Sequence, residues 1–104
     1  MTGQVVIKMT DDLFIHRTVV AESGTRLPQH AHVYDHISLI SAGAVRVWAG
    51  SERLGDFEAP EGIVIKAGIL HQFLTLKPDT IIDCIHRVDK MDAPEIAIEA
   101  KPLV

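Results

Sequence analysis

Apolar and polar positions alternate along most of this chain, and turn-forming residues break the alternation at short intervals. Residues 4–9 are rich in Val and Ile and end at Thr10-Asp11-Asp12. Residues 13–21 are β-branched and apolar, and Ser23-Gly24 ends them. Pro28 interrupts the next stretch, a run over residues 30–40 follows, and Ala42-Gly43 closes it. Residues 44–49 read as a strand with Val45 and Val47 on one face and Arg46 and Trp48 on the other. Gly50-Ser51 predicts a hairpin tip. Further strands are expected over residues 53–57, 63–66, 71–76 and 80–88, with turns at Pro60-Glu61-Gly62, Ala67-Gly68 and Lys77-Pro78-Asp79. Residues 89–104 contain Pro94 and Pro102 and predict an extended or irregular arm, with at most a turn or two of helix over residues 90–100. No repeat or linker divides the chain, so residues 1–104 are expected to form a single domain. Short strands must stack as two sheets or close on themselves to bury their apolar faces. The pattern therefore predicts an all-β sandwich or barrel.

Composition narrows the partners. The chain has 104 residues, 47% of them hydrophobic and 23% charged, which is enough apolar material for a core. The net charge is −4, and the ten Lys and Arg residues are scattered singly. A phosphate backbone or an anionic membrane needs a basic stripe, so neither nucleic acid nor membrane is an expected partner. No apolar run approaches the roughly 20 residues that span a bilayer. Met1-Thr2-Gly3-Gln4 has no basic segment leading into an apolar one, so a cytoplasmic location is expected. Cys84 is the only cysteine. It excludes an intrachain disulfide and reads as a small buried hydrophobe. Val5-Val6-Ile7 and Leu103-Val104 are material for a subunit contact, and a symmetric homodimer is expected.

The six histidines are the chemistry-bearing feature, and three of them fall within seven residues. His30 and His32 are two apart, so in an extended strand both rings point to one face. His36 can join them after a bend at Tyr34-Asp35, and His71 follows the Ala67-Gly68 turn. A single strand histidine is usually a surface or hydrogen-bonded residue, and an H-x-H pair alone is a weak signal. The fourth histidine beyond a glycine turn strengthens it. Neutral imidazole suits Zn, Cu, Fe and Ni, whereas Mg and Ca prefer oxygen.

At these residues the chain resembles the cupins. Gly24 is followed by five residues, then His30-Ala31-His32, three residues, His36, six residues and Gly43. That is the spacing of the first cupin motif, with His36 where the family usually carries Glu. The second motif is matched by Gly68 and His71, while Lys66 stands in place of Pro and Thr75 in place of Asn. The resemblance spans residues 24–75. It implies a double-stranded β-helix, or jelly-roll barrel, with one divalent transition metal (Zn, Fe, Cu, Ni or Mn) in its mouth. It also implies His30, His32 and His71 as ligands, with His36 in the fourth ligand's position.

By the period of two, Phe73 and Thr75 share the face of His71 and are candidates to line the pocket, with core packing as the alternative. His86 lies on the last strand with Ile82, Cys84 and Val88. It is a candidate pocket residue and the first candidate for proton transfer, because no Glu stands at position 36. His16 is a weaker candidate beside Phe14 and Thr18. Asp35 is placed to orient an imidazole or to face water. Arg17, Arg46 and Arg87 are candidates to clamp a carboxylate or, more ordinarily, solvated side chains. Two functions follow from the histidine set. One is a metal-dependent enzyme, of dioxygenase or of isomerase or lyase type, acting on a small organic substrate. The other is a non-catalytic module that binds a metal or small ligand.

Overall fold

The computed structural model describes residues 2–28, 31–90 and 95–96. The chain runs through β1 (Thr2–Met9), β2 (Leu13–Val20), β3 (Arg26–Pro28), β4 (Ala31–His32), β5 (His36–Ala42), β6 (Ala44–Ala49), β7 (Glu52–Glu58), β8 (Glu61–Ile65), β9 (His71–Thr75) and β10 (Thr80–Arg87). A single 3-10 turn (Val88–Lys90) and a short β11 (Glu95–Ile96) follow. The described residues are all-β, as the alternation predicts.

The strands make two main sheets. One has five strands in the order β1-β2-β10-β5-β8, and the other has four in the order β3-β9-β6-β7. All the pairings are antiparallel. A separate small ladder joins β11 to β4. Neighbours in each sheet come from distant parts of the sequence, which is the crossing pattern of a jelly roll.

Three details depart from the sequence reading. The run over residues 30–40 is split into β4 and β5, because residues 33–35 bend. The expected turn at Pro60-Glu61-Gly62 gives way to β8 at Glu61, whose backbone pairs with Ile40. The segment around Pro28 is a true edge strand, β3, paired only to β9. Proline lacks an N–H, so it is tolerated at an edge where no second neighbour needs that donor.

The core lies between the sheets. Ile40, Val45, Val47, Ile63, Ile65, Phe73 and Ile82 form one buried cluster, with Leu27, Phe57, Ala59 and Cys84 packed against it. Along β10 the inward positions are Thr80, Ile82, Cys84 and His86, and along β5 they are Ile40, Ser38 and His36. Ile82 pairs with Ile40 and Cys84 with Ser38, so equivalent side chains stack in layers. The interior thus passes from isoleucine at one end to histidine at the other. That gradient places a dry core beneath a polar mouth.

Gly43 ends β5 at φ +77°, in the left-handed region. A Cβ built there would sit 2.2 Å from Thr80 Oγ1 and 2.8 Å from the Thr80 Cα. Both the conformation and the space exclude a side chain. Gly43→Ala is expected to cost about 2 kcal/mol or more, through backbone strain and a displaced β10. Chemical denaturation checks this, and an unchanged midpoint would refute the close approach.

Candidate metal centre

His36 opens β5 and points into the barrel, where it is 6% exposed. On the next strand, His86 occupies the adjacent inward position at 7% exposure. Their rings stack with centroids 4.6 Å apart. Phe14, paired with His86 across β2 and β10, stacks on that ring at 5.0 Å. His32 in β4 brings its ring to 5.2 Å from His36 and 5.7 Å from His86. Tyr34 lies in the bend that follows, and its Oη is 2.9 Å from His86 Nδ1. With Nδ1–H donating to the tyrosine oxygen, the Nε2 of His86 carries a free lone pair.

His71 begins β9, in the other sheet, at 2% exposure. Its Nδ1 lies 3.0 Å from the Ile69 carbonyl oxygen. A carbonyl only accepts, so Nδ1 carries the hydrogen and Nε2 the lone pair. This is the arrangement that orients metal-binding histidines.

The electrostatics keep these rings neutral. Burial pushes the His36 pKa down to about 3, helped by His86, His32 and His71 and opposed by Asp35. Burial, then His32 and His16, push His86 down to about 4. Burial lowers His71 as well, against the pull of the Ile69 carbonyl. Neutral imidazole is the form that binds a metal. In addition, His36 Nδ1 is buried with no hydrogen-bond partner. An orphaned ring nitrogen inside a barrel carries a desolvation cost, and a metal ion would relieve it.

An acid sensitivity follows for the metal-free protein. His36 and His86 start to bind protons near pH 6.5 when unfolded but only near pH 3 and 4 when folded. Between those values the unfolded chain holds more protons, so stability is complete above about pH 6.5 and falls as the pH drops. A loss on the order of 3 kcal/mol for each ring by pH 4 is expected. Denaturation midpoints of metal-stripped protein at pH 7 and pH 4.5 test it; equal values would show that the rings are not held neutral.

Among the described residues, one group of three donor atoms lies within 4.8 Å of one another, and it consists of His36, Cys84 and His86. His32 and His71 stand outside this group, although both act electrostatically on His36. His30 lies outside the described residues. Phe73 belongs to the core cluster. The Thr75 hydroxyl donates to the Glu22 carbonyl and accepts from Thr25 N–H, each at 2.9 Å. These two positions therefore pack the core and hold a turn. Arg17 forks onto Asp83 at 2.7 and 2.9 Å, Arg46 onto Asp56 at 2.8 and 3.1 Å, and Arg87 binds Asp89 at 2.6 Å. All three are engaged by the protein's own carboxylates. Asp35 accepts from Ala67 N–H at 2.7 Å, and so ties the bend before β5 to the turn before β9.

From the sequence, Tyr34 reads as a residue able to pack a ligand or, more ordinarily, as core or interface, and Cys84 reads as a buried hydrophobe. Their placement depends on contacts between distant parts of the chain, 46 residues for Ser38–Cys84 and 52 for Tyr34–His86. The one available signal was the period of two that aligns Cys84 with His86.

No family model matches the chain and no curated protein matches it. Solved structures do. KdgF from Halomonas sp. superposes with a TM-score of 0.68 at 19% identity, over 81% of this chain and 77% of that one. A cupin superfamily protein from Desulfitobacterium hafniense gives 0.67 at 16% identity, over 86% and 79%. An uncharacterized conserved protein with a double-stranded β-helix domain from Klebsiella pneumoniae gives 0.72 at 15% identity, over 93% and 85%. At such identities the likeness establishes the fold. The chain has the double-stranded β-helix fold of the small cupins.

Proposed function

We propose that this cupin-fold chain binds one divalent transition metal in its histidine-lined mouth and acts as a metal-dependent enzyme on a small organic substrate. The observation that carries the reading is His36, a neutral and buried ring with an unpartnered Nδ1, surrounded by His32, His71 and His86. The ligands we assign are His36 with His32 and His71, together with His30 from its H-x-H spacing. Zn, Fe, Cu, Ni or Mn fits an imidazole shell, and such a metal supplies Lewis-acid or redox chemistry when bound. The protein's part is to hold neutral ligands beside a dry core. The Tyr34–His86 pair is the candidate for moving a proton, at His86 Nε2.

The second reading is a binding module without turnover. One observation favours it: the close donor group contains no carboxylate to serve as a base. Titration calorimetry of metal-stripped protein separates these ideas from a metal-free barrel. One site per chain is expected for zinc or iron, and a His30→Ala/His71→Ala double variant is expected to lose it. Absence of a binding isotherm for every metal named would refute the reading. Product formation from small oxygen-rich acids then divides enzyme from binder.

We also propose that the chain assembles as a homodimer. On the outer face of the five-stranded sheet, Val19, Ile37 and Val64 are 40%, 45% and 53% exposed, and the edge strand β1 presents Val5 at 53%. The charge within this face is neutralised, since Arg17 is forked onto Asp83. Light scattering is expected to return twice the 11.4 kDa chain mass. An Ile37→Lys/Val64→Lys variant is expected to return the monomer. A monomeric parent at micromolar concentration would contradict the assignment.

A further inference from the structure

The geometry points to Cys84 as a thiolate ligand of this metal, alongside His36 and His86, so that the mouth holds a two-nitrogen, one-sulfur site. The inference rests on the metal-binding reading above, but it replaces His30, His32 and His71 as ligands and gives His86 to the ion instead of to proton transfer. The ion would sit between β5 and β10, rather than under the H-x-H pair and β9.

Three observations support it. First, the donor atoms of His36, Cys84 and His86 all lie within 4.8 Å of one another. Metal–sulfur and metal–nitrogen bonds of roughly 2.3 and 2.0 Å put tetrahedral ligand atoms about 3.5 Å apart. Second, His36 is 6% exposed and its Nδ1 has no partner. A nitrogen so placed is a donor without an acceptor. Third, each of the other two residues has its own support. Tyr34 Oη holds His86 at 2.9 Å while Phe14 stacks on that ring. Ser38 Oγ lies 3.2 Å from Cys84 Sγ, where its hydroxyl can donate to a sulfur anion. Orienting contacts of this kind accompany metal ligands.

The chemistry selects the ion. A thiolate with two imidazoles is softer than an all-imidazole shell and favours zinc or copper over manganese, while calcium and magnesium are excluded. On binding, the Cys84 thiol gives its proton to solvent and the sulfur–metal bond forms, with no change in oxidation state for zinc.

Cobalt(II) is the probe, because its spectrum reports both ligand type and geometry. The full chain, stripped of metal and loaded with cobalt(II) without oxygen, is expected to show a thiolate-to-cobalt charge-transfer band in the near ultraviolet. Intense visible bands of a tetrahedral ion should accompany it. Cys84→Ser is expected to lose the charge-transfer band and to hold zinc at least about tenfold more weakly against a chromophoric chelator. His71→Ala is expected to keep the band. Bound cobalt without the band in the parent chain would overturn the inference and leave the metal-binding reading standing. So would an identical band in Cys84→Ser. Failure of the parent to bind cobalt at all would overturn both. The parent spectrum decides the matter by itself if Cys84→Ser does not fold.

Discussion

His36→Ala is expected to reduce the bound metal to trace levels and, at the same time, to make the metal-free protein more tolerant of acid. Both effects come from one ring. His36 stacks on His86, stands within 5.2 Å of His32, and carries the unpartnered Nδ1. Removing it deletes a ligand from the middle of the cluster, and an affinity loss of at least about a hundredfold is expected. Removing it also deletes the group with the deepest depression of pKa, to about 3, which the unfolded chain protonates already near pH 6.5. The destabilisation between pH 7 and pH 4.5 should shrink accordingly. Elemental analysis reads the first effect, and denaturation midpoints at the two pH values read the second. A variant that keeps its metal would remove His36 from the ligand set. A variant with undiminished acid lability would show that its burial is not what strains the apo state.

Phe73→Ala is expected to give the largest loss of stability, about 3–5 kcal/mol. The ring is fully buried at 0% exposure and packs among Ile40, Val45, Val47 and Ile82. Two sheets meet around it, so neither can collapse into the space left behind without moving the other. For a domain whose whole stability is on the order of 5–15 kcal/mol, such a loss leaves little margin at 37 °C. Metal content per folded molecule is expected to stay at the parent value, because the side chain lies one layer beneath the histidines. A mild loss, near 1 kcal/mol, would mean that Phe73 lines a cavity open enough to absorb the change. That outcome would return it to the pocket.

Phe73 also shows what could and could not be read from the sequence. The period of two put it on the face of His71. The depth of that position along the barrel axis decides between core and pocket, and depth is a property of sheet pairing. The same distinction runs through the fold. Strands β1, β2, β6, β9 and β10 were legible because β-branched runs end at glycine, proline or aspartate turns. β3 was obscured by Pro28, since its partner β9 lies far along the chain. β8 began two residues earlier than the turn signal suggested, because pairing of Glu61 with Ile40 overrode the local preference of Pro60-Glu61-Gly62.

Of the candidate site, the His32–His36 contact was legible, because the H-x-H spacing and the bend at Tyr34-Asp35 are local. His86 entered as a candidate pocket residue and proton-transfer group, on condition that its face of the last strand is internal. Its stacking on His36 is created by the register that sets Cys84 against Ser38. Cys84 read as a hydrophobe for a sound reason, since burial pushes its thiol pKa up and it does pack against the core. Two neutral histidines in the layer directly above change what that thiol can do.

The most direct test of the central claim is the metal content of the protein purified without chelators, measured by mass spectrometry beside His36→Ala. Near-stoichiometric transition metal in the parent, and trace amounts in the variant, are the predicted result. Equal trace amounts in both would contradict it and leave a metal-free barrel whose buried histidines need another explanation.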